Sequence, residues 1–115
     1  MLCTYCGSTA AATRLNKVYG GHFTDDPRIW YCGSCDAYVR RTPIGIDGIF
    51  ADRSLRQLRM LLHDEFDKLW RGGSMTRTEA YRWLSLELGI ERKFAHFRYL
   101  NEQQCNLVME ALCKR

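Results

Sequence analysis

Two short cysteine pairs decide the fold of this chain: Cys3-Thr4-Tyr5-Cys6, followed by Gly7, and Cys32-Gly33-Ser34-Cys35, followed by Asp36. Two residues between paired cysteines allow a tight turn that directs both sulfurs at one ion. Together the pairs supply four thiolates, which match the tetrahedral coordination that zinc favours. We therefore predict one structural zinc ion with four ligands, Cys3, Cys6, Cys32 and Cys35.

Six cysteines would also suit a disulfide-linked secreted miniprotein, and one such pair alone would suit a redox motif. However, the first residues lack the basic start and apolar run of a signal peptide, and no βαβ pattern surrounds either pair. A reducing cytosol keeps thiols free to bind metal. We expect a cytoplasmic zinc protein, with disulfides and redox chemistry as the alternatives.

Composition places the chain among soluble globular proteins. Of its 115 residues, 46% are hydrophobic and 26% are charged, and no stretch approaches the roughly 20 apolar residues that cross a bilayer. The formal net charge is +4, and one Zn²⁺ with four bound thiolates would lower it by two. Because the remaining charge is small, any interaction with phosphate has to depend on where the basic residues lie.

The chain divides into two modules. Residues 1–42 contain three segments with strand character, 9–15, 28–31 and 37–40, and a Gly20-Gly21 turn, which together predict a zinc ribbon of short antiparallel strands. Residues 43–51 contain a proline and two glycines, which disfavour a regular element, so we predict a linker there. About forty residues bury too little apolar surface to be stable alone, so the ribbon should depend on its metal.

Residues 52–115 have helical periodicity and predict a three-helix module. Asp52 is a plausible cap for the first helix, and Gly72-Gly73 ends it. Thr76 and Asn101 begin the next two helices, each with a capping-box residue three positions later. The apolar stripes would share one small core, and the predicted fold class is α+β.

Several motifs resemble a known family. We call each cysteine pair with the residue that follows it a knuckle. The motifs comprise the first knuckle (residues 3–7), Trp-Tyr-Cys-Gly-Ser-Cys-Asp-Ala-Tyr-Val (30–39), Leu-Arg-Gln-Leu-Arg (55–59), Phe-Asp-Lys-Leu-Trp (66–70), Ala-Tyr-Arg-Trp-Leu (80–84) and Leu-Gly-Ile (88–90). This pattern resembles the zinc-finger-containing proteins encoded by bacteriophages and prophages. The resemblance implies a zinc ribbon with a helical C-terminal region in a bacterial or viral setting, and it implies no particular reaction.

Catalytic motifs are lacking in the sequence. It has no Ser-His-Asp order, no glycine-rich phosphate loop and no HExxH motif, and four thiolates leave zinc without an open position. His63, Asp64 and Asp67 would suit a nuclease metal site, but polar residues opposite an apolar helix stripe are usually solvated. We expect a non-catalytic protein with no small-molecule substrate.

Basic and aromatic residues of the ribbon and the first helix suggest contact with nucleic acid. Arginine and lysine neutralise phosphates, and neighbouring aromatic rings stack on bases. Four aspartates in or next to the same module argue against this interpretation, because they reduce its positive charge. The candidate residues are Lys17, Arg28, Tyr38, Arg40, Arg41, Arg53 and Arg56, with Trp30 and Tyr31 as further aromatic candidates.

The alternative partner is a host or phage protein, with this chain acting as an adaptor or inhibitor. Trp83 and Leu86 fall outside the apolar stripe of the second helix and would either reach the ribbon or face such a partner. Cys105 and Cys113 could hold a second metal only if a residue such as His96 joined them, and a buried helix-face cysteine is the simpler interpretation.

Overall fold

Four antiparallel strands form the N-terminal part of the protein. The computed structural model describes residues 1–22 and 24–115, and its sheet has the order β1-β2-β3-β4. The strands are β1 Ala11–Arg14, β2 Arg28–Cys32, β3 Ala37–Thr42 and β4 Gly45–Ala51. This sheet belongs to one structural unit, Met1–Arg53, and the helices that follow form a second, Ser54–Arg115.

Strand alternation gives the sheet two different faces. On the cysteine face, Trp30, Cys32, Ala37 and Val39 are neighbours across β2 and β3. On the tyrosine face, the register pairs Tyr31 with Tyr38 and Ile29 with Arg40. The main buried cluster of this unit comprises Cys3, Ala10, Cys32, Ala37, Val39 and Phe50, and Ile29 of the tyrosine face is fully buried as well.

The linker predicted over residues 43–51 is wrong, because this segment contains the strand β4. Pro43 and Ile44 form the turn between β3 and β4, and Ile44 is 99% exposed there. Gly45 and Gly48 have positive φ angles, and the pairing register shifts between Tyr38 and Arg40. Glycines at such positions mark a turn and a bulge within a hairpin. The proline and the glycines that predicted an irregular linker therefore form the turn and the bulge of an edge strand.

A short helix, α1 (Leu15–Tyr19), follows β1 and was not predicted from the sequence. Five residues are too few to show an apolar period. Gly20 ends the helix in the left-handed conformation (φ 64°), and the backbone N–H of Asn16 donates to Asp26 Oδ1 at 2.9 Å. Tertiary contacts of this kind stabilise helices that are too short to persist alone.

Three longer helices form the second unit, as the sequence predicts. They are α2 Arg53–Arg71, whose first residue belongs to the first unit, α3 Arg77–Leu88 and α4 Glu102–Cys113, with 3₁₀ turns at Arg92–Phe94 and Phe97–Tyr99. Thr76 caps α3 by accepting from Glu79 N, and Asn101 and Gln104 form a complete capping box on α4. The predicted α+β class is therefore confirmed. No described helix is long and apolar enough to cross a membrane.

One carboxylate in the helical unit differs from its predicted solvated state. Asp67 is 4% exposed, whereas Asp64 on the same helix is exposed. Asp67 Oδ2 lies 3.1 Å from His63 Nδ1 and 3.3 Å from the Arg71 guanidinium, and Oδ1 accepts from Trp70 Nε1 at 3.1 Å. Three donors from its own helix thus compensate its burial.

Replacing this carboxylate should destabilise the helical unit. In D67N the amide keeps one acceptor oxygen but loses the charge that His63 and Arg71 share, so we expect a loss of about 1–3 kcal/mol in free energy of unfolding. D64N, at an exposed position, should change it by less than about 0.5 kcal/mol. Urea unfolding followed by far-UV circular dichroism measures both. Equal midpoints for the two variants would contradict the role assigned to Asp67.

Candidate metal centre

The first cysteine pair lies in a tight turn at the start of the chain. The N–H of Cys3 donates to Ser8 O at 2.8 Å, and the N–H of Gly7 donates to Cys3 O at 2.9 Å. Gly7 has φ 76°, a left-handed conformation that glycine adopts without strain. The Tyr5 N–H points to Cys3 Sγ at 3.4 Å. This is the amide-to-sulfur contact expected of a zinc knuckle.

The second pair forms the connection between β2 and β3. Cys32 ends β2 and pairs with Ala37 at the start of β3. Asp36 occupies the place that Gly7 has in the first turn, and it is also left-handed, with φ 51°. Its carboxylate Oδ1 accepts from the hydroxyls of Tyr19 at 2.7 Å and Tyr31 at 3.1 Å. These side-chain bonds help hold a conformation that costs most residues energy.

The four cysteine sulfurs converge. All four lie within 4.8 Å of one another, and Cys6 Sγ is 3.6 Å from Cys32 Sγ. Tetrahedral zinc with Zn–S bonds of about 2.3 Å requires sulfurs about 3.8 Å apart. Cys3 and Cys32 are buried in the core of the sheet, Cys35 is half-buried and Cys6 is exposed. The donor set and its spacing therefore fit a bound zinc ion.

The sulfurs differ in how readily they give up a proton. Hydrogen bonds from Ser8 lower the pKa of the Cys6 thiol to about 6. Hydrogen bonding with Cys6 is the main cause that raises the pKa of Cys35 to about 12. A second thiolate beside the first is unfavourable because like charges repel. A cation among the sulfurs reverses this balance and releases the remaining protons.

The other thiols lie outside this cluster. Cys105 is fully buried in the helical unit, and burial raises the pKa of its thiol. Cys113 is exposed near the end of α4. His96 is half-buried, and its ring centroid lies 5.6 Å from that of Tyr81. Among the residues that the structure describes, only the four ribbon cysteines group as a potential metal site.

The basic candidates of the ribbon are divided between the two faces of the sheet. Arg28 lies on the cysteine face with Trp30, and so does Arg41, whose Cζ is 5.4 Å from the Trp30 ring centroid. Arg40 lies on the tyrosine face and pairs with Asp25 at 3.7 Å. Neighbouring residues of a strand point to opposite faces of the sheet. Arg40 and Arg41 therefore cannot both contact a ligand that lies on one face.

The remaining candidates lie elsewhere. Lys17 is exposed on α1, and Arg53 is exposed at the first residue of α2. Arg56 is half-buried and belongs to the helical unit. Tyr38 packs on the tyrosine face, where its ring centroid is 6.0 Å from that of Tyr19. Within the sheet, Tyr38 therefore lies on the face opposite Arg28 and Arg41.

Sequence reasoning missed Arg14. The register pairs Arg14 directly with Arg28 across β1 and β2, and both side chains are exposed. Directly opposed like charges destabilise a sheet unless an anion lies between them. Pairing of residues so far apart in the chain has no local sequence signal, so only the register reveals this arginine pair.

Comparison with known proteins identifies one family. A family model described as a zinc-finger-containing domain matches residues 1–115. No curated protein and no solved structure matches the chain significantly.

Each of the four clustered cysteines should be required for metal binding. We expect wild-type protein purified under reducing conditions to contain one equivalent of zinc, and C6S or C35S to contain much less, because a hydroxyl is a poor zinc ligand. C113S, at an exposed cysteine outside the cluster, should retain the full equivalent. Metal analysis by mass spectrometry measures this. Full zinc content in C6S and C35S would contradict the site.

Two knuckle glycines provide a matched test of backbone strain. An added Cβ at Gly7 meets no atom within 4 Å, but the positive φ makes alanine unfavourable there, so G7A should weaken zinc-dependent folding by about 1–2 kcal/mol. Gly33 lacks a positive φ, and its Cβ would only touch the Tyr31 ring at 3.7 Å. G33A should therefore be close to neutral. Competition with a zinc chelator compares them, and equal zinc affinity would argue against the strained turn.

Proposed function

The chain belongs to the family of zinc-finger-containing domains. We propose that it is a non-catalytic protein stabilised by zinc, and that it binds nucleic acid through the cysteine face of its ribbon. The binding surface would be a strip of four residues, named here the basic strip: Arg14, Arg28, Trp30 and Arg41. Single strands are the favoured ligand, because the strip combines guanidinium groups with an indole ring.

The stacking of Arg41 on Trp30 is the observation that carries this proposal. Trp30 is half-buried, so its ring is held by the core while part of it faces solvent. The buried Nε of Arg41 has no hydrogen-bond partner in the described part of the chain. A guanidinium fixed on an aromatic ring can bind a phosphate while the exposed part of the ring accepts a base.

The charges of the strip point to the same class of ligand. Arg14 and Arg28 repel each other across the sheet, and a phosphodiester backbone between them would relieve that repulsion. Arg40, by contrast, already has a carboxylate neighbour in Asp25. The basic strip therefore has a local positive potential that the small net charge of the chain does not reveal.

Zinc has a supporting role in this proposal. Cys32 is two residues from Trp30 on the same face of β2, so the metal would fix the end of the strand that carries the ring. Four thiolates complete the coordination of zinc and leave no position for a substrate, which favours binding over catalysis. A bacterial or phage cytoplasm, which the sequence resemblance implies, would keep these thiols reduced.

A protein partner is the second candidate, and Leu86 is the observation that favours it. Leu86 is 76% exposed on α3, so its side chain contributes little to the core of the helical unit. Trp83, which the sequence grouped with it, is half-buried and lies under Arg115, whose Cζ is 5.4 Å from its ring centroid. An adaptor or inhibitor would therefore use Leu86 rather than Trp83.

A salt series tests the nucleic-acid proposal. We expect zinc-loaded protein to bind random-sequence single strands with an affinity that falls steeply as salt increases. The double variant R28Q/R41Q should bind more weakly and reduce the log-log salt slope by about 1.4, because each phosphate contact contributes about 0.7 on single strands. Fluorescence anisotropy with a labelled oligonucleotide measures both quantities.

The control is K68Q/K114Q, which removes the same charge from exposed lysines of the helical unit. It should leave the slope within about 0.3 of wild type if long-range charge contributes little. Absence of binding at low salt, or equal slopes for the two double variants, would refute the basic strip as the interface. Binding to a captured protein that is insensitive to salt and lost in L86S would favour the second candidate.

A further inference from the structure

A small cavity in the helical unit is lined by residues of α3 and the following 3₁₀ turn. Its volume is about 150 Å³, and its lining residues are Thr78, Arg82, Ser85 and Arg92. The first three lie on one side of α3, spaced by four and three residues, so they form a continuous wall. The cavity lies entirely within Ser54–Arg115 and is distinct from the zinc site.

The lining has the chemistry of an anion site. Its four lining residues carry two guanidinium groups and two hydroxyls, and no acidic residue lines it. Two acidic residues close to the lining in sequence have other partners: Glu79 bonds the Thr76 hydroxyl at 3.1 Å, and Glu91 pairs with Lys93 at 3.4 Å. Neither Arg82 nor Arg92 forms an ion pair with any described carboxylate. Two uncompensated arginines beside one cavity favour binding of a compact anion.

The cavity is also preorganised. Arg92 Cζ lies 4.8 Å from the ring centroid of Tyr81, which is 5% exposed, so contact with a core residue favours this position of the guanidinium. Ser85 Oγ donates to Ile90 O at 2.6 Å and so ties the chain after α3 to the helix. The hydroxyl of Ser85 is thereby used as a donor. The donors that remain for a ligand are Thr78, Arg82 and Arg92.

We propose that this cavity binds a phosphate group, and specifically a dianionic phosphomonoester or inorganic phosphate rather than an internal phosphodiester. Two arginines carry a charge of about +2, which matches a phosphomonoester at neutral pH, whose second pKa is about 6. A phosphodiester carries one negative charge and would leave one guanidinium uncompensated. A planar guanidinium can also bind two oxygens of a tetrahedral phosphate at once.

Titration with inorganic phosphate tests this site in the full-length, zinc-loaded protein. At constant ionic strength, we expect saturable NMR shifts of the backbone amides of Thr78, Arg82 and Arg92. R82Q should raise the dissociation constant about tenfold, because it removes one charged hydrogen-bonding partner. R92K should also weaken binding, because a lysine keeps the charge but loses the bidentate geometry.

The matched control is K68Q, which removes one positive charge from an exposed lysine of α2 in the same unit without altering the lining of the cavity. It should change the dissociation constant by less than about twofold, as expected for a screened exposed charge. Shifts that increase linearly without saturation, or equal weakening by K68Q and R82Q, would overturn the proposal.

A second titration identifies the source of the phosphate. Two oligonucleotides of one sequence, with a 5′-phosphate or a 5′-hydroxyl, are compared on wild type and on R82Q. A preference for the phosphorylated end that R82Q removes would assign the cavity to nucleic-acid termini. Equal binding of both, together with saturable binding of inorganic phosphate, would assign it to free phosphate or a small phosphate ester. Because the basic strip lies in the other unit, its failure in the salt series leaves this test unaffected.

Discussion

Mutual repulsion among four cysteine sulfurs is the constraint on which the ribbon depends. The sulfurs lie within 4.8 Å of one another, a separation at which several thiolates cannot coexist without a cation. The same cysteines contribute to the core, because Cys3 and Cys32 are buried with Ala37, Val39 and Phe50. We therefore expect metal binding and core formation to be coupled, because the unit has little apolar surface to fold alone.

Both knuckles require a left-handed backbone conformation after the second cysteine, and they obtain it with different residues. Each needs a left-handed residue directly after its second cysteine, and Gly7 meets this need through its lack of a side chain. Asp36 meets it with hydrogen bonds from two tyrosine hydroxyls on the tyrosine face. The second turn is consequently connected to the aromatic cluster of the sheet, whereas the first depends on backbone bonds.

The β-register decides which charged residues can act together. It separates Arg40 from Arg41, although they are adjacent in the chain, and it places Arg14 opposite Arg28. The helical unit distributes charge differently: it surrounds the buried Asp67 with donors and leaves Arg82 and Arg92 beside a cavity without carboxylates. The two proposed anion surfaces therefore differ in geometry: one is an open strip for a strand, and the other is a small surface pocket for a single group.

The sequence alone determined the features that depend on near neighbours in the chain. The cysteine pairs, the caps at Thr76 and Asn101 and the helical periodicity arise from interactions within a few residues. The cysteine cluster and the three helices could therefore be predicted. Only the tertiary structure decided β4, the Arg14–Arg28 pair, the burial of Asp67 and the cavity at Arg82. Strand pairing and packing bring together residues that are distant in the chain, and burial depends on neighbours that no local pattern reveals.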